Sequence, residues 1–316
     1  MLLWLFIYFV ISLSRDNSPG CGQSPQSGPG STQTFTFEYD GLQRIYIVHV
    51  PIQYNQNIGQ PLFFSFPGYT ITANFMANNF GMTSQSDEYG YIAVFLQGSR
   101  PIGVPLSWND KSCTASPGPD GPTCDVSRVN SVNVPDNCKE TPTNYCNWCN
   151  CNADDVGFVD ALANYLEEVY CIDMEREYAT GYSNGGMMTH RVGVDLNNRF
   201  AGIAPMHGQM HVGFNEIPKY DVPMPIFLIW GRSDRTVPGE DIMSSDFWYY
   251  LPMSNVLNTF GEFNGCIVNN NPSPVSTISD GIRGFGCNAY LNGCNNLAYT
   301  YICEWNGAHV YPNQGQ

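Results

Sequence analysis

Residues 181–186, Gly-Tyr-Ser-Asn-Gly-Gly, contain the pattern Gly-x-Ser-x-Gly around Ser183. Residues 177–180 before it are typical of a short buried strand, and residues 187–192 after it are typical of the start of a helix. A serine in a sharp strand-to-helix turn presents its hydroxyl clear of the backbone, and small neighbours let the two elements approach closely. The pattern predicts Ser183 as a nucleophile. The alternative interpretation is a glycine-rich loop that carries a solvated serine.

A serine hydroxyl is a weak nucleophile until a base removes its proton and an acid holds that base in the right tautomer. A predicted strand at residues 225–230 leads into a loop with Asp234, and the last predicted strand, residues 297–302, leads into a loop with His309. Serine, acid and histidine in this order, each after a strand, are typical of an acyl-transfer triad. The sequence therefore predicts Ser183 as nucleophile, Asp234 as acid and His309 as base.

Other residues compete for two of these roles. Asp234 also fits an ordinary turn, because Ser-Asp is common turn chemistry, and Asp241 is the nearest other aspartate. His207 follows another predicted strand and His211 is close to it, so both are alternatives for the base. His309 is preferred because it lies in the last loop, where the order of the triad puts the base.

Two backbone N–H groups are predicted to hold the oxyanion of the reaction. One belongs to Asn184, directly after the nucleophile. The other belongs to Tyr69, in the loop that follows the predicted strand at residues 61–66. Gly68 permits a tight turn there, and Pro67 is excluded because proline has no N–H.

Three aromatic residues, Trp108, Trp305 and Tyr311, are candidates for contact with a substrate, although each would also fit a core. Trp305 and Tyr311 flank His309, which favours them. The sequence contains no phosphate loop, dinucleotide fingerprint or His-Glu-x-x-His pattern. We therefore predict neither a cofactor nor a metal ion.

The surrounding segments alternate between strand-like and helical patterns. Residues 35–39 and 44–50 alternate about an Asp-Gly turn and predict a hairpin. Residues 61–66 and 91–96 are almost wholly apolar, as strands covered on both faces are, and residues 153–170 carry a helical apolar stripe. Together they predict an α/β fold, with a mainly parallel central sheet and helices on both faces. One catalytic domain is expected over residues 32–316.

The first residues predict export from the cell. Residues 2–13 are apolar except for Ser12, too short a run for a comfortable membrane span, so residues 1–14 are predicted to be a signal peptide. A signal anchor is the alternative. Residues 15–31 are rich in Ser, Gly, Pro and Gln and predict a flexible lead-in that only Cys21 would hold. We expect a secreted, extracellular protein without a membrane contact after cleavage.

The chain has 12 cysteines, an unusually high and even number that favours an oxidising compartment. Half of them lie between Cys113 and Cys151, which predicts a disulfide-rich insertion at about residues 109–151. The spacing Cys146-x-x-Cys149-x-Cys151 would also suit zinc in a cytosolic protein, but disulfides are favoured here. Four others, near the C-terminus, are expected to brace the last catalytic loop.

The formal net charge of −15 argues against nucleic acid and anionic membrane surfaces as partners. It also disfavours a strongly acidic polymer as substrate. The oligomeric state is left open.

The sequence resembles the secreted polyhydroxybutyrate depolymerase and feruloyl esterase group, which is related to carbohydrate esterase family one. The resemblance extends from residue 44 to the end of the chain. It implies an α/β-hydrolase fold with a Ser183, Asp234 and His309 triad that acts on esters of aromatic acids or hydroxyacids. The matching segments are residues 154–159, 172–173, 178–188 and 200–205, together with Gly231, Asp234, Val237 and Pro238.

These observations predict a secreted serine esterase that works through an acyl-enzyme. Its expected partner is an ester substrate, with feruloyl or related plant-polysaccharide esters first and a polyester such as polyhydroxybutyrate as the alternative. A serine peptidase on the same fold is a second class of enzyme that would share the triad. A disulfide-rich binding protein without activity is the non-enzymatic alternative.

Overall fold

A computed structural model describes residues 17–100, 106–114, 118–128, 149–214, 216–275 and 286–311. The predicted signal peptide, residues 1–14, lies outside the described residues. So does the centre of the predicted insertion, residues 129–148.

One twisted sheet organises the described residues. Its strands are β1 (Thr32–Tyr39), β2 (Leu42–His49), β3 (Gln60–Phe66), β4 (Ile92–Leu96), β5 (Ile172–Tyr182), β6 (Gly202–Met206), β7 (Ile226–Gly231), β8 (Ser273–Pro274), β9 (Gly286–Tyr290) and β10 (Thr300–Trp305). The strand order is β1-β2-β4-β3-β5-β6-β7-β10-β9-β8. The six central strands, from β4 to β10, run parallel, while β1, β2, β8 and β9 add antiparallel pairs at the two edges.

Helices cover both faces of this sheet, as the sequence predicted. The helices are α1 (Ala73–Asn79), α2 (Met82–Tyr89), α3 (Asp155–Val169), α4 (Asn184–Asp195) and α5 (Met253–Phe263). Leu62 and Phe64 point to the face covered by α3, α4 and α5, whereas Phe63 between them points to the face covered by α1 and α2. Side chains alternate in this way along a strand, so a strand covered on both faces must be apolar throughout.

Helix α3 begins within two residues of its predicted start, and its first turn is anchored to the sheet. The Asp154 side chain caps the helix by accepting from the N–H of Gly157 at 2.9 Å. Asp155 is buried and pairs with Arg44 of β2 at 2.6 Å. Its second carboxylate oxygen accepts from the N–H of Asn109 at 2.6 Å. A buried charge of this kind needs such partners, and they tie the helix to β2.

Four disulfide bonds join described residues, in agreement with the predicted oxidising compartment. Two of them, Cys266–Cys294 and Cys287–Cys303, brace the C-terminal part of the sheet, and the second joins β9 to β10. Cys113–Cys149 closes the predicted insertion. Because Cys149 and Cys151 are both disulfide-bonded, neither offers a free thiolate to zinc.

Residues 17–31, predicted to be a flexible lead-in, are instead fixed to the domain. The Cys21–Cys171 disulfide binds them to the start of β5. Ser18 is buried, donates to the carbonyl oxygen of Tyr170 at 2.7 Å and accepts from the N–H of Ile172 at 2.9 Å. Of these anchors the sequence indicated only Cys21, because the partners of Cys21 and Ser18 lie about half of the chain away.

None of the helices in the ranges given above is long and apolar enough to cross a membrane.

One guanidinium, that of Arg199, faces three carboxylates, one of which belongs to Glu177 in the middle of β5. It contacts Asp160 at 2.9 Å, Glu177 at 3.1 Å and Glu167. Glu177 is only 1% exposed. Burial, with Glu167 as a neighbouring negative charge, raises the pKa of Glu177 to about 8 despite the opposing effect of Arg199. At neutral pH the folded state therefore retains a proton that the unfolded chain releases.

We expect Glu177→Gln to flatten the dependence of stability on pH. A carboxyl group whose folded pKa is raised contributes its full stability below the unfolded pKa of about 4.3 and loses it as the pH rises to about 8. The difference in free energy of unfolding between the variant and wild type should therefore shift by about 1 kcal/mol or more in favour of the variant from pH 5 to pH 8. Urea unfolding of both proteins at pH 5 and at pH 8 measures this shift. Glu168→Gln, an exposed neighbour on α3, is the control. Parallel pH curves for Glu177→Gln and wild type would contradict the prediction.

Candidate active site

Ser183 occupies a strained turn between β5 and α4. Its φ and ψ are 57° and −122°, a region that residues other than glycine rarely adopt. The backbone is held on both sides: the N–H of Ser183 donates to Met206 at 2.9 Å, and its carbonyl accepts from the N–H of Met187 at 3.0 Å. Such a turn lifts the side chain at the carboxyl edge of a parallel sheet, which is the setting of a nucleophile.

The glycines around Ser183 are required by close packing. A Cβ on Gly185 would overlap the carbonyl oxygen of Phe66 in β3. One on Gly181 would overlap the backbone of Gly185, and one on Gly186 would approach the carbonyl oxygen of Met206. These positions are glycine because α4 approaches the neighbouring strands too closely for a Cβ.

Gly185→Ala is expected to disturb the turn and to lower activity by about tenfold or more, because backbone atoms cannot move aside as a flexible side chain can. Thermal unfolding and ester hydrolysis together measure the effect. Gly28→Ala is the matched control, since a Cβ there meets nothing within 4 Å. Unchanged stability and activity in Gly185→Ala would contradict this account of the turn.

The structure brings Ser183, Asp234 and His309 together in one chain of hydrogen bonds. The Oγ of Ser183 lies 2.8 Å from Nε2 of His309. The Nδ1 of His309 lies 2.7 Å from Oδ2 of Asp234. Ser183 follows β5, Asp234 follows β7 and His309 follows β10, so all three stand at the carboxyl edge of the parallel strands. The hydroxyl of Tyr182 donates to the carbonyl oxygen of His309 at 2.8 Å and holds the last loop over the turn.

Asp234 is buried but well supplied with donors. Its Oδ1 accepts from the backbone N–H groups of Thr236 and Val237 at 3.0 and 2.9 Å. Its Oδ2 faces Nδ1 of His309 and also Nδ1 of His207, the latter at 2.8 Å. Burial alone would raise the pKa of Asp234, but the hydrogen bonds from His207 and His309 outweigh it and lower the pKa to about 2. Asp234 is therefore ionised throughout the neutral and mildly acidic range.

The alternative acid and bases have contacts other than the one that His309 makes with Ser183. Asp241 is exposed on the following loop. His211 is buried, its Nδ1 lies 2.7 Å from Oγ of Ser112, and burial lowers its pKa to about 3. His207 shares Oδ2 of Asp234 with His309, but its Nε2 accepts from the indole of Trp305. Among these residues, the geometry puts only His309 against Ser183.

The two predicted oxyanion donors flank Ser183. Asn184 is the first residue of α4, where backbone N–H groups have no partner within the helix. Its side chain accepts from the N–H of Trp108 at 2.7 Å and donates to the Trp108 carbonyl at 3.2 Å, which fixes the start of the helix. Tyr69 lies in the loop after β3, and a Cβ on its neighbour Gly68 would be 3.2 Å from Cβ of Ser183. Both backbone segments therefore approach the nucleophile.

The three predicted substrate contacts have different placements. Trp108 and Trp305 are only 1% and 3% exposed. The indole of Trp108 donates to the carbonyl of Pro67 at 2.9 Å. In this arrangement both tryptophans support the site from behind, and direct contact with a substrate would need a neighbouring group to move. Tyr311 is half-buried beside His309, and its ring centroid lies 4.2 Å from that of Phe80.

His207, Asp234 and His309 also form the kind of cluster that can bind a metal ion, since their nearest ligand atoms lie within 4.8 Å of one another. The atoms that face each other are already joined by hydrogen bonds. A metal ion would have to displace the protons of both imidazoles from the side of Asp234. The cluster is thus fully accounted for as a hydrogen-bonded network.

Sequence reasoning considered His207 only as a competing base and missed its contact with Asp234. The signal was its position directly after a predicted strand, but strand order is needed to see that β6 lies between β5 and β7. It also missed Tyr182, which lies inside the Gly-x-Ser-x-Gly pattern itself and contacts the loop of His309.

Comparison with known proteins places this chain near esterases. No family model matches the chain. It is 26% identical over 136 residues to feruloyl esterase C of Emericella nidulans, covering 43% of this chain and 45% of that protein. It is 27% identical over 192 residues to feruloyl esterase D of Neurospora crassa, covering 60% of this chain and 53% of that protein. The chain spans about half the length of these curated relatives. The predicted resemblance to feruloyl esterases is confirmed as a similarity of sequence.

A solved structure extends the likeness over nearly the whole chain. The acetyl xylan esterase from Aspergillus awamori matches with a TM-score of 0.57 and 12% identity, covering 90% of this chain and 96% of that one. At this identity the likeness concerns the fold alone. The predicted α/β-hydrolase fold is confirmed.

Proposed function

We propose that this protein is a serine carboxylic-ester hydrolase in which Ser183, His309 and Asp234 form the catalytic triad. The observation that carries the proposal is the continuous contact from Ser183 Oγ through His309 to Asp234, at 2.8 and 2.7 Å. It stands at a strained strand-to-helix turn, which is where such a nucleophile belongs.

The geometry suits an acyl-enzyme mechanism. His309 Nε2 takes the proton of Ser183 as Oγ attacks the ester carbonyl carbon. Asp234 stays ionised, keeps the remaining proton of His309 on Nδ1 and stabilises the imidazolium. His309 then donates its Nε2 proton to the departing alcohol, and a water molecule repeats the sequence to release the acid and free Ser183.

The backbone N–H groups of Asn184 and Tyr69 are proposed to hold the oxyanion. Both belong to segments that flank Ser183, and Asn184 adds the positive end of the α4 dipole. Donors already in position need no reorganisation when the negative charge develops, and one such donor is worth about 10²–10³ in turnover.

The proposed substrates are feruloyl or related plant-polysaccharide esters. Two curated relatives are named feruloyl esterases, and the structural relative is named an acetyl xylan esterase. Tyr69 follows Gly68, where a Cβ would be 3.2 Å from Cβ of Ser183, and the ring centroid of Tyr311 lies 6.4 Å from that of Tyr182. Both tyrosines are half-buried, and we propose that they offer aromatic surface to an acyl group. We also propose secretion, which the disulfide bonds of the domain support.

The test is to mix the protein with p-nitrophenyl acetate and to identify the acylated residue by mass spectrometry of peptides after acid quenching. We expect an acetyl group on Ser183 and a burst of p-nitrophenol. Methyl ferulate, p-nitrophenyl butyrate, hydroxybutyrate oligomers and a peptide panel are then compared by kcat/KM. Acylation elsewhere, or no turnover of any ester by folded protein, would contradict the proposal. A preference for the oligomers would keep the chemistry and change the substrate.

A further inference from the structure

His207 stands at the carboxyl end of β6, between the strand of Ser183 and the strand of Asp234. It has a positive φ of 49°, and its N–H donates to the carbonyl of Ile229 in β7 at 2.8 Å. The side chain is fully buried. A buried imidazole in a strained backbone conformation is held there by its surroundings.

The contacts of His207 assign its tautomer. The indole N–H of Trp305 points at Nε2 of His207, with 3.2 Å between the nitrogens. An indole nitrogen can only donate, so Nε2 must accept and carries no proton. The single proton of the neutral ring is then on Nδ1, which donates to Oδ2 of Asp234 at 2.8 Å.

The surroundings keep His207 neutral. Burial lowers its pKa against the opposing effect of Asp234, and the neighbouring His309 adds to the lowering. The other groups that face it are the ring of Tyr182, whose pKa burial raises, and the indole of Trp305, with ring centroids at 5.7 and 6.1 Å. Asp234 is the one charged partner among the residues that contact the ring in the described part of the chain.

We propose that His207 is a positioning residue for the hydrolysis proposed above, on which this inference rests. Its fixed Nδ1–H orients Asp234 and withdraws charge from Oδ2. His309 is therefore a weaker base than it would be in a pair with Asp234 alone. Oδ2 divides its acceptor capacity between two imidazoles, while Oδ1 is held by the amides of Thr236 and Val237. The carboxylate cannot rotate away from His309, and its pull on the imidazolium proton is moderated.

Two substitutions distinguish the effect of the Nδ1–H donor from the effect of removing the imidazole ring. His207→Asn keeps an N–H donor at the δ position, where the histidine proton is. His207→Gln moves the amide one carbon further and offers a donor only at the ε position. If the δ donor matters, the loss of charge withdrawal in His207→Gln moves the acidic limb of kcat/KM to higher pH by about one unit relative to wild type, and His207→Asn keeps it within about 0.3 of wild type.

The first measurement is 15N NMR of histidine-labelled wild-type protein between pH 5 and 9, with His207 and His309 assigned from single variants. We expect His207 to remain the neutral Nδ1–H tautomer throughout. The His309 midpoint is then followed in His207→Gln and His207→Asn, together with the acidic limb of kcat/KM for p-nitrophenyl acetate. Both should move to higher pH in the glutamine variant, and kcat should fall about tenfold with KM nearly unchanged.

Several results would overturn the inference. One is an Nε2–H tautomer in wild type, which needs no variant to fold. Another is an unmoved His309 midpoint in His207→Gln, or equal shifts in both variants. Because the NMR titration needs no turnover, its outcome is separate from that of the proposed function. A wild type without esterase activity but with the expected shifts would refute the esterase and leave the coupling standing.

Discussion

Replacing Ser183 with alanine is expected to lower kcat/KM for p-nitrophenyl acetate and methyl ferulate by about 10⁴-fold or more. The reason is that Oγ of Ser183 is the hydroxyl 2.8 Å from Nε2 of His309, and among the residues that the structure describes no other nucleophile contacts this nitrogen. A small residual rate from the backbone N–H groups of Asn184 and Tyr69 is compatible with this result, since transition-state stabilisation outlasts the loss of the nucleophile.

The fold should survive this substitution. Alanine and serine bear a similar cost at a φ of 57°, and the hydrogen bonds of Ser183 to Met206 and Met187 are made by the backbone. The thermal unfolding midpoint is measured beside the activity. Ser254→Ala, at an exposed position of α5, is the control for the loss of a hydroxyl. Activity that persisted in folded Ser183→Ala would mean that another residue is the nucleophile.

The second large effect is expected for Asp234→Asn, with a fall in kcat of about 10⁴-fold. An asparagine cannot satisfy all four donors that surround this side chain. With its oxygen towards His207 and His309, the amide N–H₂ faces the N–H groups of Thr236 and Val237. With the N–H₂ group towards the histidines, it faces the proton that Trp305 fixes on His207 and forces His309 into the wrong tautomer.

The measurement is kcat/KM for p-nitrophenyl acetate together with urea unfolding. Asp241→Asn, the exposed alternative acid, is the matched control and should behave as wild type. A carboxylate with a folded pKa of about 2 contributes stability that is present above its unfolded pKa of about 3.9 and is lost as the pH falls towards 2. Wild type should therefore lose its stability advantage over Asp234→Asn below about pH 4. Near-normal turnover in Asp234→Asn, or inactivation by Asp241→Asn, would contradict the assignment of the acid.

Two short helices were hidden from sequence reasoning for local reasons. Helix α1 has only seven residues, and α2 is mostly polar, so neither shows a full apolar stripe. Strand β9 has five residues and pairs with β10 in the antiparallel sense, which sequence periodicity does not reveal. In contrast, β3, β4 and β7 were visible as apolar runs because both of their faces are covered.

The sequence by itself determined the order and the local setting of the site. The glycines at 181 and 185 indicate that a helix approaches the strands closely at Ser183. Asp234 and His309 each follow a strand, which places both at the carboxyl edge of the sheet. These are local properties, because a turn needs small residues where its own backbone is crowded, and parallel strands bring their carboxyl ends together whatever their order.

The tertiary structure alone decided which side chains complete the network. His207 contacts Asp234 because β6 lies next to β7, and Trp305 points its indole at His207 because β10 lies on the other side of β7. The anchoring of residues 17–31 by Cys21 and Cys171 is decided in the same way. Hydrogen bonds act over about 3 Å, whereas these residues are far apart in the chain, so only the packing of the strands brings their atoms within range.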